Sequence, residues 1–292
     1  MTLAELAPLA IKISIVLLVF SFGLTARWAD ETSLFRRLGL LLRSVLAMNV
    51  VMFSLAVTVT LLFDLHPALE IGLVALSLSP VPPAIPGKLL KAGSTLSVAV
   101  GLVTAMSVLA IVIVPLGVEL AGKLVGKDLG MPIRTVAAAV LIAVILPLSI
   151  GVAVRRYAPR LAERVSGPLH IAAIVLLVLA LVPLLIMVWP LMSSMLGTKT
   201  LPMLALFSVT GLVVGHVLAG PNEAYRTVLA LATSTRHPGM ALAMAGMNFP
   251  EAKGVLAVVI CHVVVSGIVV VPYVMWRKRV QRRPAEATLA HT

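Results

Sequence analysis

The sequence is poor in charge. Only 12% of its 292 residues are Asp, Glu, Lys or Arg, where a soluble domain carries about 25%. Acidic residues are scarcest, at 11 in all, and none falls in the middle of an apolar run. Asp64, Glu70, Glu119, Glu163, Glu223 and Glu251 stand at or near the ends of such runs. That removes paired carboxylates as general acid and base. The single cysteine, Cys261, excludes an intrachain disulfide framework and CxxC metal sites. Aromatics make up 4%, and a net charge of +12 without aromatic interleaving does not point to nucleic acid. No nucleophile–base pair and no metal cluster lies at one depth, so the chain does not read as an enzyme.

Apolar sequence is abundant. Sixty per cent of the residues are hydrophobic and the mean hydropathy is +1.11. Runs of 18 or more apolar residues recur along the whole length, the mark of a polytopic α-helical membrane protein. Nine spans are predicted: Pro8–Ala26, Leu38–Phe63, Pro67–Lys91, Ser94–Leu120, Pro132–Val154, Pro168–Met192, Leu201–Ala219, Asn222–Phe249 and Ala252–Trp276. The first lacks a basic segment before it and is as long as a full span, so it reads as a helix rather than a cleaved signal. Beyond Trp276 come RKRVQRR and a polar tail expected to be disordered.

Basic residues set the expected orientation in a cell (inner or plasma) membrane. With the N-terminus outside, the inner loops hold Arg27, Arg36, Arg37 and Arg43, then Lys88 and Lys91, then Arg155, Arg156, Arg160 and Arg164, then Arg226, and finally the basic C-terminal tail. The outer side keeps only Lys123, Lys127, Arg134, Lys199 and Lys253. This asymmetry favours a cytoplasmic C-terminus and an odd number of spans.

Two spans are broken. The third contains LSLSPVPPAIPGKLLK, with Pro80, Pro82, Pro83 and Pro86 close together. The eighth contains LATSTRHPGMALAMAGMN, interrupted at Arg236-His237-Pro238-Gly239. Proline removes a backbone donor and does not continue a regular helix. An arginine at mid-span costs roughly 2.5–3.5 kcal/mol on insertion scales. Both are tolerated where broken backbone lines a polar cavity inside the protein. Each broken span is the third of a four-helix set, and the span between the sets inverts the second. Pro83 and Pro238 are 155 residues apart, close to the 160 between Pro8 and Pro168. An inverted repeat with matched breaks points to a transporter site near the midplane.

Several stretches together resemble the bile acid:sodium symporter family. GKLLKAGSTLSVAVGLVTAMSVLAIVIVPL is similar to the turn after the family's first broken helix and its next helix. ILPLSIGVAVRRYAPRLAERVSGPL resembles its proline- and glycine-bearing helix and basic loop. ALATSTRHPGMALAMAGMNFPE resembles its second broken helix, written around ETGxQNSGLALALA. The resemblance implies an all-α membrane fold of two parts. A panel would be formed by residues 8–26, 132–154 and 168–192, a core by 38–120 and 201–276 with two discontinuous helices crossing in it, and 277–292 would be a cytoplasmic tail. It implies transport of an organic anion with sodium.

The family's sodium ligands map onto unlike residues here. Its serine–asparagine pair falls on Pro83-Ala84, a serine is kept as Ser97, and a threonine becomes Gly101. The shared glutamate falls on Ala232, the glutamine four residues on falls on Arg236, and the asparagine–serine pair falls on His237-Pro238. Sodium, a hard cation, wants several oxygen ligands. The expectation is therefore that Arg236 replaces the bound cation and offers a planar fork of donors to an anionic substrate, with Ser234, Thr235, His237, Ser97, Pro83 and Ala84 around it. The half-helix N-termini would add partial positive charge. His237 is either a proton carrier or a partner for backbone freed by Pro238. His216 and His262 have no metal-binding neighbours, and Cys261 reads as packing. The partners expected are a small organic anion, sodium or a proton as coupling ion, and the bilayer; no cofactor is expected. Two other readings stay open: a sodium-coupled symporter using backbone carbonyls, and a membrane sensor that no longer transports.

Overall fold

The computed structural model describes residues 3–32, 34–82, 96–125, 129–195, 198–252 and 254–289. Pro83, Ala84, Lys88 and Lys91 therefore lie outside the described residues, as does the second half of the third span. Every regular element among the described residues is helical. They are α1 (Leu3–Gly23), α2 (Leu38–Leu62), α3 (Pro67–Leu78), α4 (Leu96–Val125), α5 (Ile133–Tyr157), α6 (Pro159–Ser194), α7 (Thr200–Leu218), α8 (Glu223–Ser234), α9 (Pro238–Asn248) and α10 (Gly254–Leu289). A single helical turn, Trp28–Glu31, follows α1. Six of these helices (α2, α4, α5, α6, α7 and α10) are long and apolar enough to cross a membrane. The chain is a polytopic helical membrane protein.

Two local departures matter. Helix α2 widens into a π-turn at Leu46–Val51, and α5 does so at Leu141–Ile145. Such turns break the i→i−4 ladder and recur at functional sites. Helix α6 starts at Pro159, not near Pro168, and takes in Arg160, Glu163 and Arg164. Proline is suited to a first helical position, and the Leu-Ala-Glu-Arg run after it is made of good helix formers. Helix α10 runs past Trp276 to Leu289, where disorder was expected. Arg, Lys, Gln and Ala favour helix there, and Arg277 is held inside the protein.

Packing relies on small residues, because lipid offers no hydrophobic contrast between helices. Helices α1, α5 and α6 pack on one another. Leu18, Val19, Phe22, Leu148, Val152 and Ala173 form their shared apolar cluster. At the α1–α5 crossing a Cβ on Gly23 would stand 2.4 Å from the Leu148 carbonyl oxygen, so only glycine fits. Helices α7 and α8 meet as closely. A Cβ on Gly211 would lie 2.8 Å from Ser234 Cα, and one on Gly215 2.5 Å from the Leu229 oxygen. Helix α3 packs against α9 and α10, and α10 against α7. The two half-helices α3 and α9 are thereby clamped in one apolar cluster with Leu204, Phe207 and Val258.

Candidate functional site at the two helix breaks

Both breaks follow from missing amide hydrogens. In α3 the carbonyls of Leu78 and Ser79 would pair with the amides of residues 82 and 83, and both are prolines. The helix ends at Leu78, and Ser79 turns extended at φ −70°, ψ 143°. In the eighth span Pro238 has no amide hydrogen for the Ser234 carbonyl. Helix α8 stops there, Thr235 is extended at φ −106°, ψ 142°, and α9 restarts with Pro238 in its first turn. His237 caps the restart: its Nδ1 accepts from the Met240 amide at 3.2 Å.

The breaks touch. The His237 amide donates to the Pro80 carbonyl at 3.0 Å. The Arg236 guanidinium donates through Nη1 to the Ser79 carbonyl at 3.3 Å and through Nη2 to the Met48 carbonyl at 2.5 Å. Met48 sits in the π-turn of α2. One cationic side chain thus ties three elements together at backbone oxygens. Arg236 is 2% exposed and makes no ion pair among the described residues. Hydrogen bonds to a charged group contribute about 1.5–3 kcal/mol each. Two of them are on the scale of the roughly 2.5–3.5 kcal/mol insertion cost of an arginine, so the charge is held without a carboxylate.

Several other buried polar atoms lack a hydrogen-bond partner among the described residues. Arg236 Nε, Ser234 Oγ, Ser208 Oγ, Thr104 Oγ1, Asn49 Oδ1 and both ring nitrogens of His262 are buried and have no hydrogen-bond partner among the described residues. Asn49 follows Met48. Ser234 precedes Arg236 by two residues and lies against Gly211, one turn from Ser208. His262 meets Phe207 edge-on with ring centroids 5.6 Å apart. Buried polar groups are normally satisfied by protein or ordered water, so these atoms are left to bond water or a ligand.

The residues expected at the site are distributed as follows. Arg236, Ser234 and Ala232 are fully buried. Thr235 is also buried, but its hydroxyl donates back to the Leu231 carbonyl at 2.8 Å. Gly101 is buried in α4, and Ser97 is half-buried near its start. His237 caps α9 through the Met240 amide. The fork expected to face substrate has two of its arms on protein carbonyls. Sequence reasoning missed the receiving side, the π-turn that presents the Met48 carbonyl, and gave no part in the site to the buried, unpartnered Ser208 and His262. The only sequence signal for them was polarity within otherwise apolar helices. It also missed the anchor of α8. Arg277 is 1% exposed; it donates to Thr227 Oγ1 at 2.9 Å, to the Glu223 carbonyl at 3.0 Å and to the Glu223 carboxylate. Arg226 pairs with the same carboxylate at 3.0 Å and bonds the Gly220 carbonyl at 2.7 Å. Two residues counted as topology signals in the sequence are thus structural partners. Among the described residues no group of His, Cys, Asp and Glu could hold a metal ion.

Residues 12–194 match the model of the Sodium Bile acid symporter family. The chain belongs to that family. The matched stretch takes in α2 and α3 with their acceptor carbonyls and ends before the second break. No curated protein matches the chain significantly. Members of this family are membrane transporters of organic anions, not enzymes, and the helices long enough to cross a bilayer agree with that.

Proposed function

We propose that this family member carries a small organic anion by alternating access without stoichiometric sodium, and that Arg236 is its built-in cation. One observation carries the reading. Where relatives would need a bound cation, a guanidinium donates to the Met48 and Ser79 carbonyls, and the glutamate that would ligate sodium is replaced by the buried Ala232. A permanent charge in that place repels a second cation and attracts an anion. The Nε–H of Arg236 and the hydroxyls of Ser234 and Ser208, which have no partner among the described residues, would supply donors to a carboxylate head. The N-terminus of α9 adds partial positive charge.

The proposed architecture is nine spans in an inverted repeat, with the N-terminus outside and the C-terminus in the cytoplasm. Helices α1, α5 and α6 form the panel. The remaining helices form the core, which rocks against the panel with the two breaks at its centre. Sodium coupling through backbone oxygens is the competing reading, and two of those oxygens, on Met48 and Ser79, already accept from Arg236.

Uptake by proteoliposomes tests this. A panel of labelled mono- and dicarboxylates is offered with sodium or with choline outside. The expected result is saturable uptake of equal rate in both salts, lost in Arg236→Gln. Uptake that disappears without sodium, or Arg236→Gln transport at the wild-type rate, would overturn the assignment.

A further inference from the structure

Away from the breaks, α2, α3, α4 and α9 enclose a cleft of about 300 Å³, the lower end of the roughly 300–1,000 Å³ that holds small organic ligands. It lies at the end of the bundle where α2 finishes and α3 begins, the outer side in the proposed orientation. Its floor reaches Leu78, one residue from the Ser79 carbonyl that holds Arg236. Its rim includes Leu61 and Leu124, exposed at 72% and 52%, so it opens through apolar side chains.

The lining is almost wholly apolar, and its polar members are Thr60, Asn248 and Glu70; Thr60 donates to the Val57 carbonyl at 2.9 Å. Asn248 is committed: it accepts from the Gly130 amide at 2.9 Å and donates to the Met244 carbonyl at 2.9 Å. Glu70 is half-buried, and its carboxylate has no hydrogen bond or ion pair among the described residues. Two described lysines at this end are engaged elsewhere. Lys123 pairs with Glu119 at 2.8 Å, and Lys199 donates to the Asp64 carbonyl at 2.9 Å. A carboxylate in an apolar cleft with no counter-charge among the described residues selects a cation with an apolar body. It also repels the organic anion proposed for the breaks, so the cleft is not that anion's seat. At the lower end of that range, the space suits one short alkyl chain.

We propose that this cleft binds a single-chain amphiphilic amine, with its tail against α3 and α9 and its ammonium on Glu70. Bound there, the ligand wedges the two half-helices whose ends meet at the breaks and slows their rearrangement. The site stands independently of the role assigned to Arg236.

The test uses the full chain in a neutral maltoside detergent, titrated with decyltrimethylammonium, decanol or decanoate below their micellar concentrations. The midpoint of thermal unfolding is read. Decyltrimethylammonium is expected to raise the midpoint at lower concentration than decanol, and decanoate is expected to leave it unchanged. Glu70→Gln should weaken the ammonium by about fivefold, the scale of a partly exposed ion pair, and leave decanol as it was. Ala121→Phe, which fills the cleft, should abolish both responses. If Ala121→Phe does not fold, Glu70→Gln alone decides. Equal responses to ammonium and decanol with no effect of Glu70→Gln would overturn the proposal. So would an ammonium response that survives in folded Ala121→Phe, or displacement of the ammonium by two-chain phosphatidylethanolamine at equal concentration.

Discussion

Gly211→Ala is the sharpest structural test of how α8 positions Arg236. The new Cβ would stand 2.8 Å from Ser234 Cα, 2.8 Å from the Thr233 oxygen and 2.9 Å from the Ser234 nitrogen. Ordinary contact begins near 3.4 Å, and backbone atoms do not rotate out of the way, so α7 and α8 must separate by about 0.6 Å. Overpacking of this kind costs typically about 1–3 kcal/mol. Alanine recovers roughly 0.5–1 kcal/mol through its higher helix propensity. Gly246→Ala cancels that second effect: it is also helical, and nothing lies within 4 Å of its Cβ. The difference between the two variants therefore isolates the steric cost at about 1–3 kcal/mol. Function should suffer as well. Arg236 reaches the Ser79 carbonyl at 3.3 Å, so a shift of that size takes the bond beyond hydrogen-bond range. The assay is unfolding by sodium dodecyl sulfate in mixed micelles, followed by tryptophan fluorescence, with anion uptake measured in parallel. Gly211→Ala should unfold earlier than wild type and lose uptake, while Gly246→Ala should match or exceed wild type. Equal stability of the two variants, within about 0.5 kcal/mol, would refute the close-contact argument.

Other substitutions test the anchors of the broken span. Glu223→Gln leaves the buried Arg277 guanidinium without its carboxylate; because Glu223 is half exposed, the cost should be about 1–2 kcal/mol rather than the larger penalty of a fully buried pair, read in the same micelle titration. Should that variant unfold with wild type, the Arg277 tie does not hold α8. His237→Ala removes the cap on the Met240 amide and should cost about 0.5–2 kcal/mol, whereas His237→Asn, a good cap residue, should restore most of it. Restored stability with uptake still absent in His237→Asn would instead assign the imidazole a part in transport.

Much of the fold was legible because the bilayer restricts the options. Long apolar runs in the second, fourth to seventh and ninth spans became helices α2, α4, α5, α6, α7 and α10. The proline positions foretold both helix ends, since residues 82, 83 and 238 withhold the amides that Leu78, Ser79 and Ser234 need. Boundaries set by side-chain propensity were less legible. The sequence reading stopped the last helix at Trp276 and began the sixth span at Pro168, because hydropathy falls there. Helix formers outside the apolar run extended both. Arg277 shows why charge alone misleads. In the sequence it belongs to a basic tail; in the structure it is a buried partner of Glu223 and Thr227.

For the site, sequence alone determined that the eighth span must break and that an arginine lies at the break without an acid nearby, because both facts depend only on covalent chemistry and composition. Which atoms receive that arginine was decided by tertiary structure. The Met48 carbonyl comes from a π-turn about 190 residues away, and the Ser79 and Pro80 carbonyls come from the other break. Backbone oxygens carry no side-chain signature, so no reading of residue types could have found them. Only the packing of α2, α3 and α8 brings them to Arg236.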